Sequence, residues 1–223
     1  MSFEGNRFAK KRWLSGLLVA LLLTNTLIQL RGADKKKQPF GIFEQTTDIG
    51  QVRPGSSSYD PVKKRYTITG GGADIWGDGD DFHFLWRKVS ANGITLTCTL
   101  ELPPETDDPY SKAGLMLRES LDRKAPFVAV LLHSNGTVAL QFRRETGGQT
   151  EQMISPTKGN HLILERKDRW LFMSVGSPEG DYVSDEYIVL GFPDSFYAGL
   201  AVCAHNRDRL LTAHFSDVIL DTE

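Results

Sequence analysis

An all-β fold, two antiparallel sheets stacked as a sandwich, is what this sequence predicts, and three observations predict it. Beyond residue 40, short segments that alternate apolar and polar residues recur at the 8–12-residue spacing of sandwich strands. Gly, Pro, Asn and Asp punctuate them, as in "PPETDDP", "ETGGQ", "SPTKGN" and "GFPDS". No segment in that region carries a long amphipathic helical period, which excludes a βαβ architecture. No internal repeat is visible, which argues against a propeller.

The N-terminus is of another kind. Arg7, Lys10, Lys11 and Arg12 precede an apolar stretch from Trp13 to Leu30, a basic head and short hydrophobic run that direct a chain to export. The run is at the lower limit for spanning a bilayer as a helix. Ala33 suits the last position before a cleavage site, but Arg31 stands where a small residue is wanted. A cleaved signal peptide and a retained membrane anchor through residues 13–30 therefore both stay open. The expected order is leader 1–33, linker 34–41 and sandwich 42–223, with a periplasmic, cell-surface or extracellular destination. The 26 Lys+Arg against 28 Asp+Glu leave a net charge of −2, which gives no electrostatic case for nucleic acid.

The strands follow in order. "KRYTIT" (64–69) alternates, and "FHFLWRKV" (82–89) follows an aspartate cluster. "ITLTCTLEL" (94–102) puts Ile94, Leu96, Cys98, Leu100 and Leu102 on one face and threonines on the other, a half-buried strand. "AGLMLR" (113–118) carries Gly114, which suggests close approach by something large, such as Trp86 or Trp170. "FVAVLLH" (127–133) is apolar at both parities and predicts a central strand covered on both sides. Ser134, Asn135 and Gly136 make a hairpin to "TVALQFRR" (137–144). "HLILERK", "WLFMSV", "EYIVLG", "FYAGLAVCAH" and "LTAHFSDVIL" complete the set. In "FYAGLAVCAH" the row Tyr197, Gly199, Ala201, Cys203, His205 is small enough either to floor a groove or to let two sheets pack closely. Cys98 and Cys203 form one disulfide after export or remain buried thiols; spacing does not decide between them.

"YDPVKKRYTITGGGADIWGDGDDFHFLWRKV", "KAGLMLRESL", "LILERKDRWLFMSVGSPEG", "GLAVCAHN" and "AHFSDVIL", in that order across residues 42–221, carry a resemblance. Together they resemble a bacterial domain of unknown function in the concanavalin A-like lectin/glucanase superfamily, often attached to exported or cell-surface proteins. The resemblance implies a jelly-roll sandwich of two curved antiparallel sheets, one concave. It implies no established activity, because function lives in sites rather than in folds.

Candidate chemistry concentrates in "GGGADIWGDGDDFHFLW" (70–86). An EF-hand starting at Asp78 would need Gly where His83 stands and Glu where Val89 stands, so that reading fails. An irregular Ca2+ cage from Asp78, Asp80 or Asp81 with backbone carbonyls is unsupported, and the Asp107–Asp108 pair is of the same kind; the expected cofactor is none. A retaining glycosidase needs two carboxylates about 5–5.5 Å apart, an E-x-D-x-E row on a strand, and no such row exists. A polysaccharide lyase would draw on His83, Arg118, His133, His205 and Tyr197, which no local pattern ties together. Sugar binding needs an aromatic plate flanked by hydrogen-bonding groups, and Trp76 between Asp74 and Asp78 supplies both. The structural alternative has Trp76 sealing one end of the sandwich while Asp74 satisfies exposed backbone amides. The candidate binding set is Asp74, Trp76, Asp80, Asp81, His83, Arg118, His205 and Asn206.

These observations favour an exported, non-catalytic recognition module whose partner is carbohydrate at the cell envelope. The competing expectation is a structural or protein-interaction domain that contacts another envelope protein and has no sugar site, and a polysaccharide-active enzyme comes third.

Overall fold

In the computed structural model, residues 40–103, 108–176 and 182–223 are described. The leader, the anchor reading of residues 13–30, linker residues 34–39 and Asp107 lie outside them, and so does every reading made on them.

Fourteen strands follow one another along these residues. The first five are β1 (Gln45–Ile49), β2 (Ser56–Asp60), β3 (Arg65–Gly72), β4 (Phe82–Ser90) and β5 (Gly93–Glu101). Next come β6 (Lys112–Arg118), β7 (Phe127–His133), β8 (Val138–Arg143), β9 (Glu151–Ile154) and β10 (His161–Lys167). The last are β11 (Trp170–Gly176), β12 (Tyr182–Val189), β13 (Ser195–Cys203) and β14 (Asn206–Thr222). They pair into two seven-stranded sheets, ordered β1-β4-β13-β6-β7-β8-β9 and β12-β11-β10-β5-β14-β3-β2. Every pairing is antiparallel, which gives the curved jelly-roll sandwich.

Period two assigns each side chain to a layer. In β5, Ile94, Leu96, Cys98 and Leu100 enter the core between the sheets, as the alternation predicts. Facing them from the first sheet are Ala113, Leu115 and Leu117 of β6, Val128 and Val130 of β7, and Phe196, Ala198, Leu200 and Val202 of β13. The other face of the first sheet is also covered. There Phe82, Phe84, Trp86, Met116, Phe127, Ala129, Leu131, Ala201 and Cys203 form a second apolar cluster, joined by Ile75 from the loop after β3. This is why β7 is fully buried and apolar at both parities.

Two expectations are corrected here. Backbone, not a large side chain, comes nearest to Gly114: a Cβ there would strike the Val130 carbonyl and the Leu131 backbone of neighbouring β7. The glycine serves strand-to-strand approach. The small row of β13 lies outside the inter-sheet core, and Gly199 admits the Leu85 carbonyl of β4 in the same way. Cys98 and Cys203 are buried free thiols in different clusters, the first between the sheets on β5 and the second on the outer face of the first sheet. Burial raises both thiol pKa values, Cys203 to about 12, so both stay protonated and inert.

Candidate functional site

The loop between β3 and β4, residues 73–81, folds over the outer face of the first sheet, and its aspartates divide into two sets. Asp80 is fully buried. Its Oδ2 accepts from Arg118 Nη1 at 2.7 Å and Arg143 Nη1 at 2.8 Å, and its Oδ1 from Arg143 Nη2 at 2.6 Å. The remaining donors of Arg143 reach the carbonyls of Gly77, Ala125 and Gly148, while Arg118 Nη2 donates to the Asp122 carbonyl. Burial lowers the Arg118 pKa, and the Asp80 charge opposes that shift. One carboxylate and two guanidiniums thus tie three loops to the sheet. Asp81, also buried, accepts from the Gln51 amide at 3.0 Å and lies near Arg123 and Arg207. Asp78 is exposed and meets Lys124.

Asp74 opens the other set. Its Oδ1 accepts from Lys112 Nζ at 2.6 Å and from the Ile75 amide at 2.7 Å, and its Oδ2 stands 3.4 Å from His205 Nε2. His205 Nδ1 donates to Asp108 Oδ2 at 2.8 Å. Burial works to raise the Asp108 pKa, but the His205 hydrogen bond and the Tyr110 amide outweigh it and hold the carboxyl below its usual range. Around these groups is an open depression of about 280 Å³, lined by Asp74, Trp76, Tyr110, Lys112, His133, Gln141, Gln152 and His205. Trp76 and Tyr110 stand at 39% and 57% exposure, with buried Ile75 anchoring the first. The Tyr110 ring lies 5.4 Å from that of His205.

Strand pairing explains the convergence. Lys112 sits opposite both His133 and Cys203, and Gln141 sits opposite Gln152, all on the outer rows of the first sheet. His133 Nδ1 faces the Thr137 carbonyl at 3.1 Å; a carbonyl only accepts, so this nitrogen carries the proton and Nε2 is the lone-pair acceptor. Burial, with Lys112 nearby, pushes the His133 pKa down to about 4, so the ring is neutral at pH 7. Gln141 Nε2 donates to Gln152 Oε1 at 3.1 Å, and the buried Gln141 Oε1 has no partner among the described residues.

Of the predicted set, the structure brings together Asp74, Trp76 and His205. Asp80, Asp81 and Arg118 are buried beneath loops and hold the scaffold. His83 does not join the depression. Phe82, Phe84 and Trp86 take the outer rows of β4, so His83 turns the opposite way. Its Nδ1 lies 2.6 Å from Asp48 Oδ1 and its Nε2 lies within hydrogen-bonding distance of Thr46 and Ser57, clasping the edge strands β1 and β2 of the two sheets. Asn206 closes a turn by accepting from the Asp208 amide. Tyr110, Lys112, Gln141 and Gln152 were missed. Gln141 carried a signal, an amide that follows Val138, Ala139 and Leu140 and precedes Phe142 in a fully buried strand. No group of three or more metal-ligating side chains occurs among the described residues, and the four aspartates of the 73–81 loop meet different cations.

No family model matches the chain, so the narrower resemblance to a bacterial domain rests on its motifs alone. No curated protein matches by sequence. Solved structures do match. A functionally unknown protein from Saccharomyces cerevisiae aligns over 80% of this chain and 97% of its own, at 17% identity and a TM-score of 0.60. A mutant of the GH43 protein BlXynB from Bacillus licheniformis aligns over 72% of this chain, at 11% identity and a TM-score of 0.53. This chain corresponds to only 33% of that one. At such identities the likeness establishes the shared sandwich fold.

Proposed function

We propose that this protein is an exported, non-catalytic recognition module that binds carbohydrate at the cell envelope. The observation that carries the reading is the pairing of exposed Trp76 and Tyr110 with a polar depression on the first sheet. Sugar rings present apolar C–H faces to an aromatic plate and hydroxyls to amides, carboxylates and imidazoles, and this site offers all four. Export rests on the basic head and apolar run of residues 7–30. The absence of catalysis rests on the carboxylates. Asp74 is engaged by Lys112, and Asp108 is held below its usual range, where glycoside hydrolysis wants a general acid raised above it.

A glycan array tests the reading. Bound signals should fall at least about tenfold in Trp76→Ala, the loss expected for an aromatic hot spot, with the circular-dichroism spectrum unchanged. An array with no glycan bound by the folded wild-type protein would overturn it. A specific observation favours a second reading, a protein-interaction domain. On the outer face of the second sheet, Trp170, Tyr187 and Val189 are exposed beside Phe172, and the Trp170 and Tyr187 rings lie 5.4 Å apart. Exposed apolar patches of this kind mark contact surfaces.

A further inference from the structure

The charge and hydrogen-bond inventory of the depression narrows the ligand class. Its one ammonium, Lys112, is held 2.6 Å from Asp74, and Asp108 adds a second carboxylate through His205. His133 is neutral at pH 7. Even a protonated His205 would only balance these charges, so among the described residues the depression leaves no cation free for a ligand carboxylate. The guanidiniums of Arg118 and Arg143 face Asp80 and loop carbonyls behind fully buried side chains, away from any ligand.

A second observation points to what the site accepts. Gln141 is almost wholly buried, lines the depression, and has an amide oxygen without a partner among the described residues. Turning both amides over would let Gln141 Oε1 accept from Gln152 and leave the Gln141 nitrogen short of a partner instead. A hydroxyl, donor and acceptor at once, satisfies the amide in either setting. Its partner Gln152 is exposed on edge strand β9, where a surface side chain rotates fast and at low cost. His133 Nε2 supplies a further acceptor for hydroxyl protons.

We infer that the site selects uncharged sugars, with ring hydroxyls bonded by Gln141, Gln152 and His133 beneath Trp76 and Tyr110, and rejects uronic acid chains. This inference rests on the carbohydrate reading above and adds the substrate class to it. Asp74 is the selectivity element: it neutralises Lys112, which would otherwise attract a carboxylate.

The test is a titration of the full chain with cellohexaose, xylohexaose and a galactomannan hexasaccharide against hexaguluronate and hexagalacturonate, at low salt and at high salt. The best neutral oligosaccharide should bind at least about tenfold more tightly than either uronate, as expected where like charge or unpaired desolvation opposes the wrong ligand. Its affinity should change less than about twofold with salt, because no ion pair is screened. Asp74→Asn should raise uronate affinity by about tenfold by releasing Lys112. Gln141→Leu should lower neutral-sugar affinity by roughly three- to tenfold, the worth of one hydrogen bond. If Gln141→Leu fails to fold, Gln152→Ala at the exposed partner should lower it in the same direction. A wild-type preference for uronates, or salt-sensitive binding, overturns the inference while leaving the carbohydrate reading standing. No binding to any member of either group overturns both.

Discussion

Asp74 and Asp80 lie six residues apart in one loop, and each meets basic side chains from the same sheet. Their environments nonetheless differ in kind. Asp80 is sealed: both oxygens are held by Arg118 and Arg143, all three residues are wholly buried, and the surrounding carbonyls come from three loops. Asp74 stays partly exposed, its partner His205 likewise, and aromatic side chains stand open beside them. The contrast separates a scaffold from a site. Arg118 Nε and Gln141 Oε1 both lack a partner among the described residues, so access rather than satisfaction separates the two sets: a wholly buried charge cluster can only hold structure, while an amide lining an open depression can receive a ligand.

The largest effect should come from breaking the sealed set. Asp80→Ala leaves two guanidiniums buried without their carboxylate and should destabilise the fold by about 3–5 kcal/mol, measured by urea denaturation. A drop in stability no larger than that of an exposed aspartate would dissolve the distinction. Next comes acid. His133 has a folded-state pKa depressed to about 4, below its unfolded value near 6.5. Between those values the unfolded chain binds the extra proton, so stability should fall as pH drops from about 6.5 towards 4, by on the order of 2–3 kcal/mol for this group. Burial lowers the pKa values of His161 and His214 as well, and they act in the same direction. His133→Gln should flatten part of the pH dependence in parallel denaturation series; an unchanged slope would show that the ring titrates freely. The smallest effect belongs to Asp78, which pairs with Lys124 in solvent. Asp78→Asn should leave the thermal midpoint unchanged within error, and a clear loss would mean this loop end is as anchored as Asp80.

Much of the architecture was readable beforehand. The alternation in β5, the doubly apolar β7 and the hairpin at Ser134–Gly136 are local patterns, and each appears as expected: Gly136 takes a positive φ of 83° and Thr137 donates to Asn135. The site was legible only in part. Trp76 and Asp74 stood out because aromatic and acidic residues cluster there in sequence, and the fold places both at the depression. His83 shared that cluster and misled, since one step along a strand reverses the face a side chain meets. Lys112 and His133 end neighbouring strands, while Gln141 and Gln152 meet across the pairing of β8 with β9; chain order contains neither adjacency.

By itself, then, the sequence determined which residues alternate, where the chain turns and hence that two apolar-faced sheets must stack, because periodicity and turn chemistry act over a few neighbouring residues. Only the tertiary structure decided which aspartate of the loop became an internal anchor and which stayed open beside Trp76. That choice depends on burial and on partners from distant strands, and solvation of a charge is a property of the assembled molecule rather than of any short stretch of chain.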